Sequence, residues 1–327
     1  MPDVPPPRQT AQHVLLVRPA AFGFNAETAA SNALQRSPAL AGATGATGNA
    51  SAVARARAEF DGLRRALESE GVGVVVAEDT PQPAKPDAVF PNNWVTFHVD
   101  GTVTLYPMLA PNRRLERRRE IVAAAAAASG FAIRRWVDLS GAEADGRYLE
   151  GTGSLVLDHV GRVAYACLSP RTDATLVELW CTEFGYAPVM FEATDAAGRP
   201  YYHTNVMLSI GTDFAVVATE SIAPRDRERV LGELAASGRE IVAIDRAAVA
   251  GFAGNVLELG SWDEALGDTR VLALSASARA ALGEARFARL AARVDATLVI
   301  PIPCIETLGG GSVRCMIAEI FTAPAAH

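Results

Sequence analysis

A glycine triplet, Gly309-Gly310-Gly311, runs into Ser312-Val313-Arg314-Cys315-Met316 and delivers one thiol at the close of an apolar, strand-rich segment. Glycine accepts backbone conformations with positive φ, so a strand end can turn sharply there and present the next side chain to a cavity. A thiol so placed is a candidate nucleophile. The alternative is a tight turn beside a buried, inert cysteine. Four more polar residues sit at the edges of strand pairs along the chain: Asn93, Glu150, His203 and Asn255. With Cys315 they recur about every 50 to 60 residues, a period that predicts repeated modules around a common axis. One thiol, one imidazole, one carboxylate and two amides gathered in one pocket are the components of a covalent hydrolase. Strand ends are also often polar, so chance is the competing explanation.

Other chemistries find less support. Cys167, Cys181, Cys304 and Cys315 are irregularly spaced, with no CxxC pair, which argues for reduced thiols rather than a disulfide framework. The five histidines form no HxxxH pair, so no metal site is expected. Gly151-Thr152-Gly153 lacks both the rest of a GxGxxG pattern and a downstream ribose-binding acid. A net charge of −7 offers no attraction to nucleic acid or to an anionic membrane. The proline-rich start shows no signal peptide, no run of about eighteen apolar residues occurs, and the expected location is cytoplasmic.

The elements that would position these residues can be read from periodicity. At 327 residues, half of them hydrophobic, the chain can bury a large core. Val14–Val17 reads as a buried strand, Arg36–Ala52 as a mobile insertion without apolar periodicity, Ser51–Glu70 as a helix and Gly71–Ala77 as a strand. Val89–Phe97 and Thr102–Tyr106 flank the turn signal Asp100-Gly101, and Glu116–Ala128 is helical. The order then repeats: strands Ser154–Leu157 and Arg162–Cys167 with helix Asp173–Phe184, and strands Met207–Ile210 and Phe214–Ala218 with helix Asp226–Ser237. The expected fold class is α/β, each unit a hairpin, a helix and a further strand. A single catalytic domain is expected over residues 13–322, between flexible tails at 1–12 and 323–327.

Seven segments together resemble the guanidino-group-modifying superfamily: Val17-Arg18-Pro19 through Asn25, Val89-Phe90-Pro91-Asn92-Asn93, Leu149-Glu150-Gly151, Ser169-Pro170-Arg171-Thr172, Tyr202-His203-Thr204-Asn205, Gly254-Asn255-Val256-Leu257 and Gly309–Cys315. That superfamily includes arginine deiminases, dimethylarginine hydrolases, amidinotransferases and arginine dihydrolases. The likeness runs from about Val14 to Phe321 and is greatest to bacterial enzymes that hydrolyse citrulline to ornithine. It implies a five-bladed, pseudo-fivefold αβ propeller of the pentein type, with the active site on the axis.

The resemblance also implies roles. Cys315 falls on the nucleophile and His203 on the general acid/base; a thiol with an ordinary pKa near ~8.5 needs a cationic neighbour, which an imidazolium would be. Glu150 falls on the carboxylate that binds the substrate nitrogens. Asn25, Arg117 and Arg171 match substrate-binding positions, the arginines as carboxylate clamps, although Arg117 lies in a run of arginines that reads equally as a solvated helix start. Asn255 fits an amide that orients the acid/base pair, and a turn explains it nearly as well. Asn93 departs from the deiminases, which carry aspartate there. An amide both donates and accepts, so it suits a neutral ureido group better than a guanidinium. The reaction expected is citrulline to ornithine, ammonia and carbon dioxide through an S-linked intermediate. The alternatives are deimination or dimethylarginine hydrolysis, then amidino transfer. No metal or organic cofactor is expected. The partner is a small amino-acid substrate, with homo-oligomerisation left open.

Overall fold

Four runs of the chain repeat one order, strand, strand, helix, strand, and a fifth unit of the same kind joins the two ends, in a computed structural model that describes residues 8–39 and 45–322. Strands β1 (His13–Arg18) and β2 (Gly73–Glu78) flank the helix Gly45–Ser69, and β3 (Val95–Phe97), β4 (Thr102–Leu105) and β5 (Arg135–Asp138) form the next unit around the helix Arg119–Ser129. The third unit holds β6 (Leu155–Asp158), β7 (Val163–Cys167) and β8 (Ala187–Phe191) with the helix Ala174–Phe184. The fourth holds β9 (Leu208–Ile210), β10 (Phe214–Val217) and β11 (Glu240–Ala243) with the helix Pro224–Ala236. The fifth holds β12 (Leu257–Asp263), β13 (Gly267–Ser275) and β14 (Ala296–Ile300) with the helix Ala276–Ala291. The last strand, β15 (Ala318–Ile320), returns to the start of the chain and pairs antiparallel with β1, His13 opposite Ile320.

Within every unit the first strand is antiparallel to the second and the second parallel to the third. A parallel neighbour requires a crossover, which the helix supplies. The middle strands are therefore covered on both faces: Val14, Leu15 and Leu16 of β1 and Phe214–Val217 of β10 are fully or almost fully buried. Helices meet the sheets through one stripe. In Gly45–Ser69, Ala52, Ala56, Phe60, Leu63 and Leu67 recur every three or four residues and are all completely buried. Asp173 and Ser275 cap their helices by accepting from the N–H of Leu176 and Ala278.

Four of the five first strands are led in by a tight helical turn: Pro91–Asn93 before β3, Gly151–Ser154 before β6, Thr204–Val206 before β9 and Val313–Met316 before β15. Before β12 a turn closes with Asn255 N donating to Phe252 O at 2.8 Å. These five turns carry the polar residues singled out by their spacing.

Several boundaries differ from expectation. Only Val95–Phe97 of Val89–Phe97 is strand, because Pro91 fixes φ and opens the turn that bears Asn93. The long helix starts at Gly45 rather than Ser51, so much of the expected 36–52 insertion is helical. The helix expected from Glu116 begins at Arg119, leaving Glu116 outside it and buried. Gln9 and Ala11, assigned to a flexible tail, are buried, with Gln9 Nε2 donating to Leu157 O at 2.9 Å. Residues 1–7, 40–44 and 323–327 lie outside the described residues. Among the described residues no helix is long and apolar enough to cross a membrane.

Candidate active site

Cys315 sits in the turn before β15, where its N–H donates to Ser312 O at 2.9 Å. The glycine run ahead of it is needed for two separate reasons. Gly310 has φ +65°, the left-handed region, and caps the helix Pro303–Gly309. Gly309 and Gly311 have ordinary φ but pack on Phe90, whose ring carbons would lie 2.8 and 2.9 Å from an added Cβ. The run is pinned rather than loose: Tyr202 Oη donates to Gly310 O at 2.5 Å, and Asn32 Nδ2 reaches Gly309 O and Gly310 O at 3.3 Å each.

Two amides meet the sulfur. Asn255 Nδ2 lies 3.2 Å and Asn205 Nδ2 3.6 Å from Cys315 Sγ, and Asn255 Nδ2 also donates to Asn205 O at 2.9 Å. Asn255 thus touches the thiol and not the imidazole, which corrects its expected orienting role. Asn205 carried no assignment in the sequence; its place two residues beyond His203 in the same turn was the available signal. Burial of Cys315 raises its pKa above the ordinary thiol value, opposed by the Ser312 backbone and the Asn255 amide. Burial thus favours the protonated sulfur at rest.

His203, at the start of the turn before β9, bonds through Nε2 to Glu150 Oε2 at 2.7 Å. Both side chains are buried. Burial pulls His203 down to about 4 against the pull of Glu150. For Glu150 burial acts upward, yet Arg171, then His203, then Arg113 hold its carboxyl well below the usual range. A neutral imidazole beside an ionised carboxylate must donate from Nε2, which leaves Nδ1 as a base. The histidine at rest is thus not the cationic neighbour that the thiol was expected to need.

Asn93 joins the same constellation. An added Cβ on Gly153 would lie 2.6 Å from Asn93 Nδ2 and 2.7 Å from His203 Nδ1, so the two nitrogens converge where only a glycine fits. Asn93 Oδ1 accepts from Arg113 Nη1 at 2.7 Å. Arg113 is buried, bonds both oxygens of Glu116, and lies 3.9 Å from Asp87 and 4.0 Å from Glu150. Arg171 places Nη1 3.3 Å from Glu150 Oε2 and Nη2 2.7 Å from Ser31 Oγ. Asn25 caps the short helix after it and donates to Asp87 Oδ2 at 2.7 Å.

Arg117 is a correction. Its Nη1 pairs with Glu143 Oε1 at 2.5 Å and donates to Tyr106 O, away from this cluster. Arg113 occupies the interior instead. One turn of phase within Arg113, Arg114, Arg117, Arg118 and Arg119 decides which guanidinium faces inward, and an arginine run carries no apolar pattern to reveal it.

Comparison with known proteins agrees on the family. The model described as "N,N dimethylarginine dimethylhydrolase, eukaryotic" matches residues 18–322. No curated protein matches the chain. Among solved structures, the N-terminal domain of ArgZ, an arginine dihydrolase from the ornithine–ammonia cycle in cyanobacteria, solved as a cysteine-to-serine variant bound to substrate, has TM-score 0.67 and 14% identity over 96% of this chain and 99% of that one. A complex of an AgrE cysteine-to-alanine variant with L-arginine has TM-score 0.69 and 17% identity, covering 96% of this chain and 41% of that one. Dimethylarginine dimethylaminohydrolase as an S-methyl-L-thiocitrulline adduct has TM-score 0.63 and 16% identity over 95% of this chain and 100% of that one. The chain spans 41% of the length of full ArgZ. At these identities the structures speak for the fold, which is α/β and of the pentein kind. The chain belongs to the N,N dimethylarginine dimethylhydrolase family, within the guanidino-group-modifying superfamily.

Proposed function

We propose that this protein is a cysteine-dependent hydrolase of C–N bonds in ureido or guanidino amino acids, acting on citrulline to give ornithine, ammonia and carbon dioxide. The observation that carries this reading is the convergence of Asn93 Nδ2 and His203 Nδ1 on Gly153, with the turn of Asn93 packed against the turn of Cys315. A carboxylate at residue 93 would suit a guanidinium through paired charge-assisted bonds, whereas an amide N–H suits a ureido oxygen. Closure of the five units into a propeller belongs to the same reading. It is supported by the β15–β3 bridge and by the contacts of β9 with β6 and β12.

The chemistry follows from the resting protonation states. As Cys315 Sγ bonds the ureido carbon, its proton passes to His203 Nδ1, and the Asn255 and Asn205 amides stabilise the sulfur while it is anionic. His203 then protonates the departing δ-nitrogen, the C–N bond breaks, and ornithine leaves an S-carbamoyl cysteine. Water attacks that carbon, giving one proton to His203, which returns it to the sulfur as the C–S bond breaks. The carbamic acid released falls to ammonia and carbon dioxide. Glu150 holds the histidine tautomer, and Arg171 is the guanidinium available for the substrate carboxylate. The free state of all four cysteines accords with a reducing, cytoplasmic setting.

The family match supports a second reading, hydrolysis of arginine or dimethylarginine by the same Cys315 and His203. Supplying citrulline, arginine, dimethylarginine and agmatine to the purified protein, and quantifying ornithine, citrulline, amines and ammonia, separates the two. Citrulline accumulating from arginine without ornithine rejects the first reading.

A further inference from the structure

Glu116 is a buried carboxylate whose only side-chain partner among the described residues is Arg113: Oε1 accepts from Nε at 3.0 Å and Oε2 from Nη2 at 2.9 Å. Side-on chelation of this kind fixes the plane of a guanidinium. The remaining edge, Nη1, then points at Asn93 Oδ1, 2.7 Å away. A guanidinium has only donors, so the asparagine facing it must present oxygen. Its Nδ2 is thereby turned the other way, toward Asn92 Oδ1 at 3.0 Å and into the gap at Gly153 that His203 Nδ1 shares. Arg113 Nη2 also donates to Phe90 O at 3.2 Å, a single bond about which the guanidinium can still swing, whereas Asp87 and Glu150, 3.9 and 4.0 Å away, make no hydrogen bond to it and add charge without setting its direction.

The geometry points to Glu116 as a positioning residue for substrate choice: it locks Arg113 against Asn93 and so keeps an amide N–H, rather than an amide oxygen, facing the reacting group. Without that lock the Asn93 amide can turn over, and an exposed oxygen would accept from guanidinium N–H groups while losing the bond to a ureido oxygen. This inference rests on the proposed hydrolysis of ureido or guanidino amino acids and deepens it.

The test combines kinetics with a crystal structure. Glu116→Gln keeps the shape but can accept from Arg113 at only one position. Its kcat/KM for citrulline is expected to fall about tenfold, mainly in kcat, while that for arginine changes less, so the citrulline-to-arginine ratio drops. In an Asn93→Ala background the same substitution should change the ratio by less than about twofold. In the crystal, Arg113 Nη1 should leave Asn93. An unchanged ratio, an effect undiminished in the Asn93→Ala background, or a retained Arg113–Asn93 contact overturns the inference. If the native protein turns over neither compound, the functional reading fails and the crystal structure alone decides the positioning. Should Glu116→Gln not fold, Glu116→Asp, too short to chelate, is judged by the same criteria.

Discussion

Asn255 grips the turn that carries Cys315 from two sides: its Nδ2 lies 3.2 Å from the sulfur and its Oδ1 accepts from the N–H of Arg314 at 3.1 Å. One amide thus both places the thiol and supplies a donor to its anion. Replacing Asn255 with alanine should lift the thiol pKa further and lower kcat/KM by about tenfold to a hundredfold. The rate of alkylation by iodoacetamide against pH reads the first effect. Cys315→Ala should be inactive, and unchanged turnover there would remove the mechanism.

On the proposed mechanism the His203–Glu150 pair should set the acid side of the pH profile. Burial depresses the imidazole to about 4, so the basic form persists well below the usual histidine range. Activity that needs this base falls only as pH drops through that value, and kcat/KM should be flat between about pH 7 and 5.5. An acid limb near 6.5 contradicts this. Glu150→Gln removes the charge that favours the protonated ring, moving the limb to still lower pH while cutting kcat by about a hundredfold or more.

Gly153→Ala tests the convergence of Asn93 and His203. The new methyl would sit 2.6 to 2.7 Å from both nitrogens, closer than any real contact, so one side chain must move. Loss of at least about a hundredfold in kcat is expected, since a displacement of about 1 Å at reacting groups has that effect. Near-native activity would show that the gap is not where substrate reacts.

The two arginines named from the sequence should now separate. Arg117→Ala breaks a partly exposed pair with Glu143, so it should lower thermal stability slightly and leave kcat/KM within about threefold. Arg171→Lys keeps the charge but loses the planar fork, and KM should rise about tenfold with little change in kcat.

Two other histidines govern acid stability. His98, stacked on Phe184, is driven down to about 4 by burial, and His159, bonded to Tyr186, to about 3. Both are neutral when folded and gain a proton in the unfolded chain below about 6.5, so the unfolded state binds more protons as pH falls. Stability should decline from about pH 6.5 downward, by up to roughly 3 kcal/mol per histidine at the acid end. Chemical denaturation at pH 7 and pH 5 measures it; His98→Asn, if it folds, should flatten the slope.

Much of this architecture was legible because strands and helices announce themselves by period. The hairpin and helix read for three units are present in each, a fourth run over β12–β14 follows the same order, and the spacing of Asn93, Glu150, His203, Asn255 and Cys315 corresponds to the five strand-leading turns. What stayed hidden depends on side-chain direction within short irregular segments. Arg113 and Arg117 are four residues apart, yet one is buried against Asn93 and the other pairs with Glu143 near the surface. Asn205 stood in the segment of His203 with no role of its own until the sulfur was found beside it. The glycine triplet was read for its freedom, but two of its three members are there for closeness to Phe90.

The pairing of β15 with β1 bears on how the molecule is made. Asn93, Glu150, His203 and Asn255 all precede Cys315 in the chain, and the turn bearing that residue leads into a strand whose antiparallel partner, β1, precedes all four. Those four residues of the proposed site are therefore made before the strand that positions the sulfur. Only when β15 pairs beside β1 is the turn of Cys315 anchored, so a chain cut short of β15 would lack the pairing that holds it.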